Sequence, residues 1–343
     1  MSNITLQPRR HERRVFRYRC DGLDYLMESA EGNVVEYVSD CLQLATLLEV
    51  SAYPKPGNVH RTADFSDTKY EHFLASSIAI GGALRDAARK GVETFSGKIG
   101  FEQVGIGKSI ADAVVAMTAW QHGGNTSLGA ILLLVPIAVA AGYSWSGESP
   151  NAEKLRKTVS KVTRSTTPED ANNVYDAIKM AGAGGLGNVD RFDVTSESSH
   201  SEIASSGTSL LQIFQHSSTY DSISSEWVQD FNITFGTGYP FFISQIKQMT
   251  DCNIATVHTF LRILSTTPDT LIARKADRQK AEEISRLAEQ VLSAGGLTSA
   301  SGRTMLTQLD QTLRSGSHKL NPGTTADLTT SSLAVAILEG YRP

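Results

Sequence analysis

The run LGAILLLVPIAVAAGY, from Leu128 to Tyr143, carries no charged residue and is apolar on every helical face. It falls short of the roughly 20 residues a helix needs to cross a bilayer, and Pro136 interrupts it. A helix that is hydrophobic all round has to be enclosed by other elements of its own chain. The run therefore reads as a buried core helix of a cytoplasmic protein with no membrane partner.

The rest of the sequence supplies material to enclose it. From Val34 onward, apolar residues recur at three- and four-residue steps, as at Val35, Val38, Leu42, Ala45 and Leu48, until Pro54 ends the segment. Further helices are expected at about 67–90, 107–122, 126–141, 151–164, 168–181, 200–217, 237–250, 253–264, 274–294, 298–314 and 324–340. Thr167-Pro168-Glu169-Asp170 has proline at the first helical position and acids in the first turn, a helix start. The serine-rich stretch 191–226 is expected to hold a mobile loop, with helix around Ile203, Leu210, Leu211, Ile213 and Phe214. No sustained period-2 alternation is found. The fold class is all-α, a single large multi-helix bundle spanning residues 32–343, preceded by a short Arg-rich N-terminal extension over 1–31.

That extension holds Arg9, Arg10, Arg13, Arg14, Arg17 and Arg19 and reads as a solvated arm; no apolar leader precedes it. Net charge over the 343 residues is −4, which speaks against a nucleic-acid partner but leaves room for a local basic cluster holding a small anion. Cys20, Cys41 and Cys252 are far apart and lack metal-ligand spacing, as suits a reducing compartment.

Two glycine motifs invite nucleotide readings and fail them. GIGKS, Gly105 to Ser109, has Glu102 where a phosphate loop needs its first glycine, so it reads as a tight entry into a helix. GAGGLG, Gly182 to Gly187, follows a helical segment instead of a strand, the reverse of a dinucleotide fingerprint, and reads as a glycine-rich helix exit.

Polar residues gather instead at the ends of the expected helices. EVSAYPKPGNVHR places Glu49, Lys55, Asn58, His60 and Arg61 around a stiff Pro-Lys-Pro-Gly turn. Asp64 and Asp67, Asn125 and Thr126, Asp251 and Asn253, and Asn321 and Asp327 lie in similar places, where a helical bundle can hold a ligand at its mouth. Taken singly, each reads equally well as a helix cap or a surface charge.

Taken in order, PKPGNVHR, DTKYEHFLASS, GGNTSLGAILL, DCNI and LNPGTTADL resemble the motif series of the triphosphoribosyl-dephospho-CoA synthase family, in a divergent archaeal-type form, over about residues 45–340. The resemblance implies an all-helical enzyme, a pentosyl transferase. An acceptor hydroxyl on a coenzyme precursor, dephospho-CoA, attacks the ribose C1 of ATP and adenine leaves. Such a reaction passes through an oxocarbenium-like state that a carboxylate stabilises, needs a base for the hydroxyl, and uses Mg²⁺ on the triphosphate. On this basis Asp327, Asp251 and Glu49 are the expected catalytic residues. Lys55, Asn58, His60, Arg61, Asn125 and Thr126 are expected to bind nucleotide or phosphate, and Asp67, Asp251 and Asp327 to hold metal. A homodimer is left open.

The sequence departs from the family pattern at two places. His60 stands where the family has an acid, and Asn125-Thr126-Ser127-Leu128-Gly129 lacks the family's histidine and lysine. Both bear on the substrate, so two alternatives stand beside the first reading. One is phosphoribosyl transfer, from ATP or phosphoribosyl pyrophosphate, to a pterin-type precursor of tetrahydromethanopterin. The other is a non-catalytic helical protein that binds nucleotide or CoA.

Overall fold

A computed structural model describes residues 15–20, 23–28, 31–145, 151–184, 191–315 and 318–343. Two short strands come first: β1 (Val15–Cys20) pairs antiparallel with β2 (Leu23–Glu28), in register from Val15↔Glu28 to Cys20↔Leu23. The hairpin lies within the stretch read as a solvated extension. Its signal is present but short, Phe16 and Tyr18 alternating with Arg17 and Arg19 before an Asp-Gly pair typical of two-residue loops. Everything described from Glu31 onward is helix and connection, the all-α bundle expected.

The helices follow as α1 (Glu31–Ser51), α2 (Tyr70–Ala79), α3 (Gly81–Phe95), α4 (Ile106–Trp120), α5 (Leu128–Trp145), α6 (Ala152–Arg164), α7 (Pro168–Ala181), α8 (Ser199–Ser206), α9 (Leu210–Ser217) and α10 (Ser222–Val228). After a π-helical turn at Thr234–Gly238 come α11 (Tyr239–Met249), α12 (Cys252–Thr266), α13 (Thr270–Lys275), α14 (Arg278–Ser293), α15 (Ala300–Arg314) and α16 (Gly323–Leu338). The helix expected over 67–90 is divided at Ile80, just before Gly81-Gly82, where helix propensity is lowest. Carbonyls at the break are taken up by α1, with Gln43 Nε2 donating to Ser77 and Ile78 O (3.0 and 3.1 Å) and Ser39 Oγ to Gly81 O (3.0 Å). Both glycine decoys read correctly where they are described: Gly105 (φ 59°) leads into α4, and Gly182 (φ 60°) closes α7. Gly185 to Gly187 lie outside the described residues.

Helix α5 is the axis of the bundle, with no residue from Ala130 to Ala141 more than slightly exposed. Helix α3 packs directly on its backbone. A Cβ on Gly91 would sit 2.1 Å from Val139 O and one on Gly142 2.0 Å from Ala88 O, so only glycine permits this approach. Pro136 does not end the helix. It removes the N–H that Leu132 O would have accepted, and Trp227 Nε1 of α10 donates to that carbonyl instead, at 3.0 Å.

Helix α16 is buried along most of its length although rich in serine and threonine. Four of its hydroxyls turn back on its own carbonyls, Thr329 to Thr325, Thr330 to Ala326, and Ser331 and Ser332 to Leu328, which satisfies them within the helix. The apolar interior falls into two clusters. Ala45 and Leu328 belong to the larger, built around α5, while Ala52 belongs to the smaller, built from α12 to α15, with Ala326 packed against it. The boundary between them runs past the end of α1 and the start of α16.

Candidate functional site

The Pro-Lys-Pro-Gly turn lies at that boundary, bolted to two helices. Asn253 of α12 holds the Tyr53 backbone on both sides, accepting from its N–H (2.9 Å) and donating to its carbonyl (2.8 Å). Gly57, at φ 70°, donates its N–H to Asp310 Oδ1 of α15 (2.8 Å). Asp310 is itself gripped by Arg314 Nε at 2.9 and 3.1 Å, and Arg314 Nη2 donates to Asn58 O at 2.5 Å. With its backbone so fixed, the turn sends Lys55 inward.

Lys55 is fully buried, and its Nζ donates to Glu49 Oε1 at 2.5 Å and to Asn58 Oδ1 at 3.3 Å. Asn58 Nδ2 goes on to Asn321 Oδ1 at 2.8 Å, just before α16. Burial lowers the pKa of Lys55 and raises that of Glu49, and their mutual attraction opposes both shifts. The expectation that Lys55 grips phosphate thus meets a geometry in which its ammonium is already engaged by Glu49.

Asp327 faces the same cluster from the first turns of α16. Its Oδ1 accepts the Ala130 N–H at the start of α5 (2.9 Å), and its Oδ2 lies against Gly129, where a Cβ would come within 2.0 Å. Its pKa is pushed well above the usual carboxylate range, first by burial and then by the charge of Glu49, with the Ala130 N–H opposing only in part. Lys55 in turn feels the charge of Asp327. Lys55, Glu49 and Asp327, separated by up to 278 positions (327 − 49) in the chain, therefore share one pocket of electrostatic interaction.

Asp269, which carries no role in the sequence reading, anchors this end of α16. It caps α13 through the N–H groups of Leu271 (2.9 Å) and Ile272 (3.0 Å), and its other oxygen accepts Thr325 N and Oγ1 at 2.7 and 2.8 Å. Asp310 and Arg314 were likewise missed. In sequence they read as an ordinary i, i+4 surface pair, and only the docking of α15 on the turn gives them a second partner.

The other expected residues are placed unevenly. His60 is buried beside the turn, its Nδ1 3.1 Å from Thr62 Oγ1. Arg61 is exposed, stacked 4.3 Å over the Tyr53 ring, with Nη2 3.4 Å from Asn253 Oδ1. Asn125 caps α5, accepting from Leu128 N at 3.0 Å, and Thr126 is buried on Ser76 Oγ at 2.7 Å, both one turn from Gly129 and Ala130. Asp67 is exposed, 3.6 Å from His318 Nδ1. Asp251 caps α12 through Ile254 N at 2.8 Å and, among the described residues, is not hydrogen-bonded to Glu49, Lys55 or Asp327. Among the described residues, no group of three or more His, Cys, Asp or Glu side chains could hold a metal ion, and no helix is long and apolar enough to cross a membrane.

Comparison with known proteins follows the same lines. A crystal structure from Archaeoglobus fulgidus, of a protein assigned as a triphosphoribosyl-dephospho-CoA synthase, superposes with a TM-score of 0.57 at 25% identity, covering 78% of this chain and all of the other. Among curated proteins, none matches. The family model described as ATP:dephospho-CoA triphosphoribosyl transferase matches residues 35–343, nearly the whole of the chain. With its ordered motifs, its helical body and its match from the first helix to the last residue, the chain belongs to the ATP:dephospho-CoA triphosphoribosyl transferase family.

Proposed function

We propose that the chain transfers the triphosphoribosyl group of ATP to a hydroxyl of dephospho-CoA, with release of adenine, at the Glu49–Lys55–Asp327 cluster. The observation that carries this reading is the unequal treatment of two neighbouring carboxyls. Glu49 has a cation hydrogen-bonded to it at 2.5 Å, whereas Asp327 accepts the Ala130 backbone N–H and meets the repulsion of Glu49.

The reaction needs that inequality. A bond forms between the acceptor oxygen and ribose C1 while the C1–N bond to adenine breaks. The hydroxyl loses a proton, and the departing adenine gains one. One group must therefore take a proton as another gives one, which calls for two titratable groups with proton affinities driven apart. Glu49, whose charged form Lys55 favours against burial, suits the base and the stabilisation of positive charge on the sugar. Asp327, which holds its proton more tightly, suits the acid. Lys55 then acts through Glu49 instead of touching phosphate.

The triphosphate finds its cations elsewhere in this reading. Arg61 and Arg314 border the turn, and the amino end of α5, with Asn125 and Thr126, favours anions through the positive end of the helix dipole. Magnesium enters on the triphosphate as part of the substrate, neutralising its charge with one or two carboxylates from the chain. Asp67, exposed on the loop after the turn, has room for that contact.

Incubation with ATP, Mg²⁺ and dephospho-CoA should yield free adenine and a product heavier by triphosphoribose, both read by mass spectrometry. No adenine at any enzyme concentration overturns the proposal. Adenine released faster with a pterin-type acceptor than with dephospho-CoA would keep the chemistry and move the acceptor.

A further inference from the structure

His60 is only 3% exposed, yet its Nε2 is buried with no hydrogen-bond partner among the described residues. Its other nitrogen is engaged. The backbone N–H of Thr62, which can only donate, points at Nδ1 from 3.4 Å, and Thr62 Oγ1 lies 3.1 Å from the same atom. An Nδ1 that accepts cannot carry the proton of a neutral ring, so that proton belongs to Nε2. The chain thus keeps a buried N–H donor with nothing to donate to, which proteins rarely tolerate without a ligand.

The surroundings say what kind of ligand. The charged groups bearing on the ring are Arg314 from α15, Lys55 from the turn and Arg61 beside it, all cations. Lys55 is paired with Glu49 and Arg314 with Asp310, while Arg61, among the described residues, is held by Tyr53 and Asn253 and by no carboxylate. Burial and these three cations push the His60 pKa down to about 3, so the ring is neutral near pH 7. It is therefore not a titrating switch, and it lacks the negative charge of the acid that the family has at this place.

We infer that His60 donates its Nε2–H to a phosphate oxygen of a bound substrate, with Thr62 fixing the tautomer that makes this possible. The inference rests on the proposed function for the identity of the substrates, ATP and dephospho-CoA, both of which carry phosphate. It makes His60 a specificity residue for an acceptor oxygen, where an acid at the same position would favour a cation or a hydroxyl.

The test has two arms. In protein labelled with ¹⁵N-histidine, the His60 resonances, assigned by their loss in His60→Gln, should show hydrogen on Nε2 and none on Nδ1 at pH 6 to 8. The Nε2 signal should then move on addition of ATP or of dephospho-CoA, each alone, which identifies whose phosphate is bound. In the second arm, His60→Leu should weaken binding of that same substrate about 10- to 100-fold, the range expected for a hydrogen bond to a charged acceptor. His60→Gln, whose amide can place an N–H near the Nε2 position, should recover most of it. A proton found on Nδ1 overturns the inference, as does an Nε2 signal unmoved by either substrate in protein that releases adenine; the functional reading survives both results. Equal affinity in all three proteins does the same. Protein that binds neither substrate and releases no adenine fails the functional reading, and the inference with it.

Discussion

Gly129→Ala is the most informative single substitution, because two opposite results follow from two readings of the same residue. Gly129 is the second residue of α5, where alanine should stabilise by about 1 kcal/mol through helix propensity alone. A Cβ there would lie 2.0 Å from Asp327 Oδ2, against the 3.4 Å or more of ordinary contact. The carboxylate must therefore withdraw by about 1.4 Å (3.4 − 2.0), which pulls it from the Ala130 N–H now 2.9 Å from Oδ1. Overpacking of this kind costs about 1–3 kcal/mol, so net stability should change by no more than about 2 kcal/mol. Activity should change far more, since a displacement of about 1 Å in a catalytic group can cost about 100-fold. Adenine release under saturating substrates and urea unfolding of the same preparation separate the two effects. A Gly129→Ala protein more stable by about 1 kcal/mol and fully active would refute the placement of Asp327 against α5 and its role in turnover.

Other expectations follow from the same cluster. Asp327→Asn keeps an oxygen for the Ala130 N–H but cannot hand over a proton, so kcat should fall about 10²- to 10⁴-fold with the fold intact by circular dichroism. A buried carboxyl whose folded pKa is raised binds more protons folded than unfolded, so Asp327 lowers stability as pH rises from the ordinary carboxylate range through its own raised pKa. Asp327→Asn should therefore gain stability relative to the parent across that window and level off above it; a difference that does not vary with pH denies the shift. Lys55→Met leaves Glu49 buried without its cation and should cost about 3–5 kcal/mol in urea unfolding, while Lys55→Met with Glu49→Leu should cost clearly less. A double variant that loses as much as Lys55→Met and Glu49→Leu added together would mean that the pair is not coupled. Arg314→Ala frees Asp310 and the Asn58 carbonyl together, and should raise KM more than it lowers kcat, because the turn stays in the chain but loses its fixed position.

The division between legible and hidden follows the range of the interactions. Local pattern was enough for the helices, since amphipathic period, caps and breakers act within a few residues. Thr167-Pro168 opens α7 and Gly182 closes it as read. Where two local signals compete in a short space, the reading blurred. The split at Ile80, the β-hairpin hidden among arginines, and α10 inside the serine-rich stretch were not separated. The recurring motifs also singled out the chain segments that meet, for PKPGN, NTSLG and NPGTTAD do converge around Asp327.

What each residue does there was beyond the sequence. Lys55 reads as a phosphate ligand until the turn is seen to point inward at Glu49, and Asp251 as a metal or base residue until it is seen capping α12. Asp269 and Arg314 carry no role in the sequence reading, and gain one only when α16 and the turn dock on them. Periodicity and capping chemistry, complete within one or two helical turns, determined that the chain is a helical bundle and where its helices lie. The direction a buried side chain faces, and which charge it meets, depend on elements brought together from hundreds of residues away. Only the packed bundle decides those.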